Sequence, residues 1–187
     1  MDNQQANIDD MELVKGILDG QTELFRLLAE RYGASLMRMV RRLVPSKEDA
    51  EEVTQDALVE AFRSLSRFDR QQANLQTWLM RIAYHMALKH YRQRQKAVPL
   101  VDAKQEWLDN MTDEEADEIL SDTSTDRLSR LEQAIDLLKA DDQMLLSFYY
   151  FDDYSIKDIS QITSREEGYL RSRLQWIRKK LAKMIEN

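Results

Sequence analysis

Residues 155–185 read SIKDISQITSREEGYLRSRLQWIRKKLAKMI. Ser155, followed three residues later by Asp158, is a capping-box-like start and predicts a short helix through Ile162. After a brief polar turn, a second helix is predicted from about Glu166 to Ile185, with Leu170, Leu174, Ile177 and Leu181 facing inward. A short helix, a polar turn and a longer basic helix make the helix-turn-helix pattern. If the apolar stripe packs inward, Ser172, Gln175 and Lys179 point outward, and Arg171 and Arg178 flank them. Arginine, glutamine and serine are side chains that reach base edges or phosphates in a major groove. The rival reading is a solvated basic face on an ordinary amphipathic helix. The capped helix and short turn ahead of it favour DNA.

The rest of the chain is helical in pattern as well, so the fold is expected to be all-α. Four glycines and two prolines in 187 residues leave few sites for the tight turns of a strand-rich fold. A short helix is expected from Met11 to Leu18, closed by Gly20, and Thr22 is placed to cap a long helix ended by Pro45. Ser46 with Asp49 starts the next one, in which Ala50, Val53, Ala57, Ala61 and Phe62 recur at helical spacing. Asp69 to Asn74 is a polar loop, and a further helix follows from Leu75 to Lys96, with Leu75, Trp78, Leu79, Ile82 and Met86 on one stripe. Beyond the linker, Leu128, Leu131, Ile135 and Leu138 form a heptad-like stripe, and Met144, Leu145, Phe148 and Tyr149 form a helix after Asp141-Asp142.

Charge divides the chain. The net charge is −7, yet Val101 to Asp126 carries ten acids and one lysine, leaving the remainder slightly basic. Arg81 to Lys96 holds five basic residues and no acid, and Arg165 to Lys183 holds seven basic residues against Glu166 and Glu167. Two basic helices separated by an acidic stretch differ from a uniformly acidic protein. The expected organisation is a tail over 1–7, a helical domain over 8–98, an acidic mobile linker over 99–126, and a second helical domain over 127–187. Such an acidic, weakly periodic linker buries too little apolar surface to offset its chain entropy. Trp107, Leu108, Ile119 and Leu120 are its exceptions, able to dock or form a short helix.

On the helix over 75–96, Arg81, His85, Lys89, Arg92 and Lys96 fall on one stripe, interleaved with Trp78, Tyr84, His90 and Tyr91. Basic residues track a phosphate backbone, and flat rings stack on unpaired bases. Trp78 is the ring expected to serve in the core. The helix over 46–65 is instead acidic, with Glu48, Asp49, Glu51, Glu52, Asp56 and Glu60 exposed and Gln55 among them, a face suited to a basic protein.

Composition also argues against several classes. Without cysteine there are no thiolate metal sites, disulfides or cysteine nucleophiles, which fits a reducing cytosol. His85 and His90 are five residues apart, not at the four-residue spacing of a helical metal pair, so neither a metal nor another cofactor is expected. The acidic, polar N-terminus is not expected to act as a signal peptide, and no apolar run approaches the roughly 20 residues that span a bilayer. There is no glycine-rich phosphate loop, and the carboxylates over 113–118 sit where nothing desolvates them, so catalysis is not expected.

In this order the segments resemble the extracytoplasmic-function (ECF) class of bacterial RNA polymerase sigma factors. FRLLAERYGASLMRMV (25–40) is similar to the opening of region 2, and SKEDAEEVTQDALVEAF (46–62) to the segment that grips the clamp helices of the polymerase largest subunit. LQTWLMRIAYHMALKHYRQRQK (75–96) resembles the Trp-Leu-x-x-Ile-Ala helix that meets the −10 element, and SIKDISQITSREEGYLRSRLQWIRKKL (155–181) resembles region 4, which reads the −35 element. The resemblance implies a cytoplasmic, non-enzymatic factor that binds core polymerase through the clamp helices and the flap of the second subunit, with promoter DNA and an anti-sigma factor as further partners. It assigns Asp49, Glu52, Gln55 and Asp56 to the polymerase; Phe68, Asp69, Arg70, Asn74, Arg81, His85, Lys89 and Arg92 to the −10 element; and Arg171, Ser172, Gln175, Arg178 and Lys179 to the −35 element. Three positions depart from the family pattern. His85 replaces a common asparagine, Ser164-Arg165-Glu166 replaces a turn like Gly-Ile-Ser, and Trp176 stands where arginine is common. The competing readings are a stand-alone helix-turn-helix regulator with a helical sensor domain and an adaptor that uses protein contacts alone.

Overall fold

Pro45 stops one helix and Ser46 starts the next, whose third residue, Asp49, donates its amide to Ser46 Oγ at 3.3 Å. Such local punctuation sets the element order throughout. The computed structural model describes residues 8–94, 111–121 and 124–186. Among them are helices α1 (Asp10–Leu18), α2 (Phe25–Leu43), α3 (Lys47–Ser64), α4 (Leu75–Arg94), α5 (Asp113–Ser121), α6 (Thr125–Asp136), α7 (Ala140–Leu146), α8 (Ile156–Thr163) and α9 (Glu167–Glu186), and no strand. The all-α expectation therefore stands. The expected tail, Lys96 and half of the expected linker, Trp107 and Leu108 included, lie outside the described residues.

The chain divides into two units. In the first, α2, α3 and α4 pack pairwise against one another. Ala50, Ala57 and Ala61 of α3 and Ala83 and Ala87 of α4 are buried, small enough to let the helix axes approach closely around Leu28, Leu36, Met39 and Leu79. Each such leucine, fully buried, contributes about 1.5–3 kcal/mol. Gly20 follows α1 with φ +100°, the left-handed geometry glycine adopts freely. Arg31 bonds the Ile8 carbonyl at 2.8 Å and Tyr32 bonds Asp10, which ties α1 to α2.

Several local expectations shift. Thr22 opens a single 3₁₀ turn (Thr22–Leu24) rather than capping α2 through its side chain. The buried face of α4 runs through Leu75, Leu79, Met80, Ala83, Tyr84, Ala87 and Leu88, while Trp78, Ile82 and Met86 are half-buried. A helix wedged against two neighbours buries a wider face than the single stripe its periodicity suggests. Tyr84, at 2% exposure, belongs to the core and is not available to stack on bases.

In the second unit α5, α6 and α7 all pack on α9, whose Leu170, Leu174, Ile177, Leu181 and Ile185 are buried as the spacing predicts. The stripe assigned to α6 is corrected at Leu128, which is 45% exposed. Leu131 and Ile135 instead border an open groove of about 430 Å³ with Leu120, Leu146, Tyr150, Phe151 and Leu181. Helix α7 runs on into a π-helical turn (Ser147–Phe151) that buries Phe148 and exposes Tyr149.

Residues 113–121 also depart from the expectation of a mobile linker, because they form α5. The Glu115 amide donates to Thr112 Oγ1 at 3.2 Å, and the Thr112 amide donates to Glu115 Oε2 at 2.7 Å. This reciprocal capping box starts the helix, and Ala116 buries against the second unit.

Among the described residues Asp142 is the most deeply buried carboxylate, its side chain 4% exposed, and it takes Arg173 in a two-pronged pair at 2.7 and 2.8 Å. This joins the start of α7 to the middle of α9. Asp142→Ala is expected to cost about 2 kcal/mol by stranding the Arg173 guanidinium, lowering the melting temperature by roughly 10 °C. Ser164, which holds the left-handed region at φ 57°, gives the opposite case. Ser164→Gly is expected to stabilise the chain by about 0.5–1 kcal/mol in a urea titration.

Candidate nucleic-acid interface

Burying the far side of α4 leaves Arg81, His85, Lys89 and Arg92 exposed, one above the next at spacings of four, four and three. Among the described residues none of Arg81, Lys89 and Arg92 pairs with a carboxylate, so the ridge keeps its positive potential. Burial lowers the pKa of His85 below its usual value, and the positive charges of Arg81 and Arg92 lower it further. At neutral pH the imidazole is therefore uncharged, with one nitrogen donating and the other accepting.

The loop before α4 is built by the side chains that the sequence reading assigned to DNA. Asp69 accepts from the Gln71 amide at 2.9 Å and from Gln72 Nε2 at 3.0 Å, an Asx-type turn. Asn74 Oδ1 accepts from the Thr77 amide at 2.7 Å and so caps α4. Phe68 meets Trp78 with ring centroids 5.5 Å apart. Arg70 is exposed. Asp69, Asn74 and Phe68 thus hold the loop's shape, and Arg70 extends from it at the surface.

On α3, Glu52, Gln55 and Asp56 are exposed, whereas Asp49 is drawn to Arg94 at 2.6 Å. That pair stitches the start of α3 to the end of α4. It leaves three of the four expected polymerase residues facing solvent.

In the second unit Ser155 Oγ accepts from the Asp158 amide at 3.1 Å and caps α8. Ser164 then supplies the left-handed residue at which α8 ends, the geometry that glycine provides in the family pattern. Ser160 Oγ donates to the Arg165 carbonyl at 2.6 Å, and Arg165 reaches Asp141 at 2.8 Å while lying over the Tyr169 ring. Trp176 packs under the Arg173 guanidinium at 3.9 Å from the ring centroid, with Lys180 Nζ at 5.1 Å. Asp142 and Arg173 escaped the sequence reading. In the sequence Asp142 reads as an ordinary acid in the first turn of α7, where the helix dipole favours it, so nothing local signalled its burial against Arg173.

The outer face of α9 carries the five expected residues, but they differ in company. Arg171 and Ser172 are exposed, Arg171 pairing with Glu167 at 3.2 Å one turn back. Gln175, Arg178 and Lys179 face α5: Gln175 Nε2 lies 3.4 Å from Asp113, Lys179 Nζ lies 3.1 Å from Asp113, and Arg178 pairs with Asp117.

Comparison with known proteins matches residues 28–97 to the sigma-70 region 2 model and residues 128–181 to the sigma-70 region 4 model. The chain is 28% identical over 185 residues to the RNA polymerase sigma-H factor of Pseudomonas aeruginosa, covering 95% of this chain and 94% of that protein. It is likewise 28% identical over 172 residues to the ECF RNA polymerase sigma-E factor of Escherichia coli, covering 89% of each. Among solved structures, CnrH in complex with the cytosolic domain of CnrY aligns with a TM-score of 0.62 at 18% identity, over 93% of this chain and 95% of that one. The sigma factor RpoE in complex with the anti-sigma factor NepR from Bartonella quintana aligns at 0.58 and 18%, over 87% and 96%. Both family models fall on the two helical units, in the order that the basic helices predict, and the chain belongs to the ECF class of the sigma-70 family.

Proposed function

We propose that this chain binds core RNA polymerase and directs it to promoters, with α4 and the loop before it at the −10 element and α9 at the −35 element. The observation that carries this reading is the ridge Arg81, His85, Lys89 and Arg92, exposed along a single face of α4. Lysine and arginine there release counterions from phosphates, and α9 presents arginine, serine and glutamine at the position of a recognition helix. Energy spent on unpaired bases draws the duplex toward the open state, and the polymerase performs the chemistry. The chain itself is therefore a binding factor and not an enzyme.

The exposed acids of α3, Glu52 and Asp56, together with Gln55, suit the clamp helices of the polymerase. In the second unit Tyr150 and Phe151, half or more exposed beside the apolar groove, suit the flap. An anti-sigma factor is a further partner of this reading, as both aligned structures are complexes with a second protein. Action in the cytoplasm follows from the polymerase partner, and no helix among the described residues is long and apolar enough to cross a membrane.

In vitro transcription with core polymerase and a randomised promoter library is the direct test, and it also separates a stand-alone regulator, which would bind duplex DNA tightly without polymerase. Lys89→Ala with Arg92→Ala is expected to lower open-complex formation and reduce the salt slope of promoter binding by about 2. Equal slopes for variant and parent would remove α4 from the interface. Glu52→Ala with Asp56→Ala is expected to weaken retention on core polymerase while leaving the fold intact by circular dichroism. His85 is expected to titrate below its usual 6.5 by NMR, with Arg81→Gln moving the midpoint upward. Because the folded value is the lower one, His85 disfavours the folded state as pH falls below 6.5, and His85→Asn removes that dependence.

A further inference from the structure

Asp113 and Asp117 stand one helical turn apart on α5, a spacing that puts both side chains on one face with Cβ atoms about 5–6 Å apart. They meet Lys179 at 3.1 Å and Arg178 respectively, and Asp113 also lies 3.4 Å from Gln175. Ala116, between them, is 1% exposed and seats the helix, with Ile119 and Leu120 half-buried beside it. Three of the five α9 residues assigned to the −35 element are thereby occupied by anionic groups of the same chain.

We propose that α5 is an internal stand-in for duplex DNA, holding the reading face of α9 closed in the free chain and leaving when a duplex engages. The inference rests on α9 being a DNA-reading helix. A carboxylate and a phosphate satisfy the same cation, so α5 and a duplex compete for Arg178 and Lys179 rather than bind together. The docking is weak by construction. Asp113 and Asp117 side chains stay 45% and 53% exposed, which keeps each pair in high dielectric, and Ala116 is the only fully buried residue of α5. A weak lid suits a switch, since it lowers affinity in proportion to the closed fraction without abolishing binding. Arg171 and Ser172, away from α5, remain open for first contact.

The test uses the full chain and a fluorescein-labelled duplex of randomised sequence at low salt, read by anisotropy. Asp113→Asn with Asp117→Asn is expected to tighten binding about tenfold, as the closed population is lost. Glu114→Gln with Glu118→Gln removes the same two charges from exposed positions that touch none of Gln175, Arg178 and Lys179, and is expected to change affinity by less than about threefold. Equal gains in the two pairs would mean simple loss of negative charge and would overturn the proposal. Arg171→Ala isolates the premise, because Arg171 contacts Glu167 and not α5. Weaker binding there with no gain from Asp113→Asn and Asp117→Asn sinks the lid and keeps the DNA-reading helix. No change in either variant sinks both. Hydrogen exchange over 113–121 is expected to accelerate when the duplex is added to the unaltered chain, and unchanged exchange counts against displacement.

Discussion

A helix can bury one side only, and this constraint governs both units. Every apolar residue that α4 and α9 turn inward obliges the residues between them to face water. On α4 the inward side is Leu75, Leu79, Ala83, Tyr84 and Ala87, so Arg81, His85, Lys89 and Arg92 emerge opposite. On α9 it is Leu170, Leu174, Ile177 and Leu181, so Arg171 and Ser172 emerge into solvent, while Gln175 and Lys179 turn away from that stripe toward α5. The faces proposed for nucleic acid are consequences of core packing, not additions to it.

Polar contacts refine what packing leaves loose. An apolar stripe tolerates some rotation of a helix about its own axis, whereas the two-pronged grip of Asp142 on Arg173 does not. It sets which α9 side chains stand outermost and backs Arg173 onto Trp176. Trp176, found where the family pattern commonly has arginine, thus works as a packing partner for two cations. Ser164 supplies the left-handed turn residue at some cost in stability, so the helix-turn-helix geometry survives the loss of glycine.

Charge is used in two opposite ways within the chain. Among the described residues Arg81, Lys89 and Arg92 of α4 pair with no carboxylate, Arg94 alone being tied to Asp49, which preserves a field able to attract a phosphate backbone. Along α9 the acids of α5 neutralise part of the same kind of field. Net charge alone would have concealed this arrangement, because an overall value of −7 averages an acidic segment with two basic helices.

The all-α class, the order of helices, the caps at Ser46 and Ser155, and the inward stripe of α9 were legible from spacing alone, because capping and 3.6-residue periodicity are local. The same holds for the Arg81-to-Arg92 ridge. What needed tertiary structure is whatever depends on partners distant in sequence. Tyr84 is core and not a stacking platform because α4 lies against two helices. Asp49 is tied to Arg94, and Asn74 and Asp69 are spent on building the loop before α4. The acidic segment over 113–121 shows the difference most clearly. Its composition reads as an unfolded tether, although Thr112 and Glu115 already spelled a helix start, and it folds because α9 offers complementary charge and a place for Ala116. Composition measures a segment's solubility in isolation; only the neighbouring helix decides whether it has somewhere to dock.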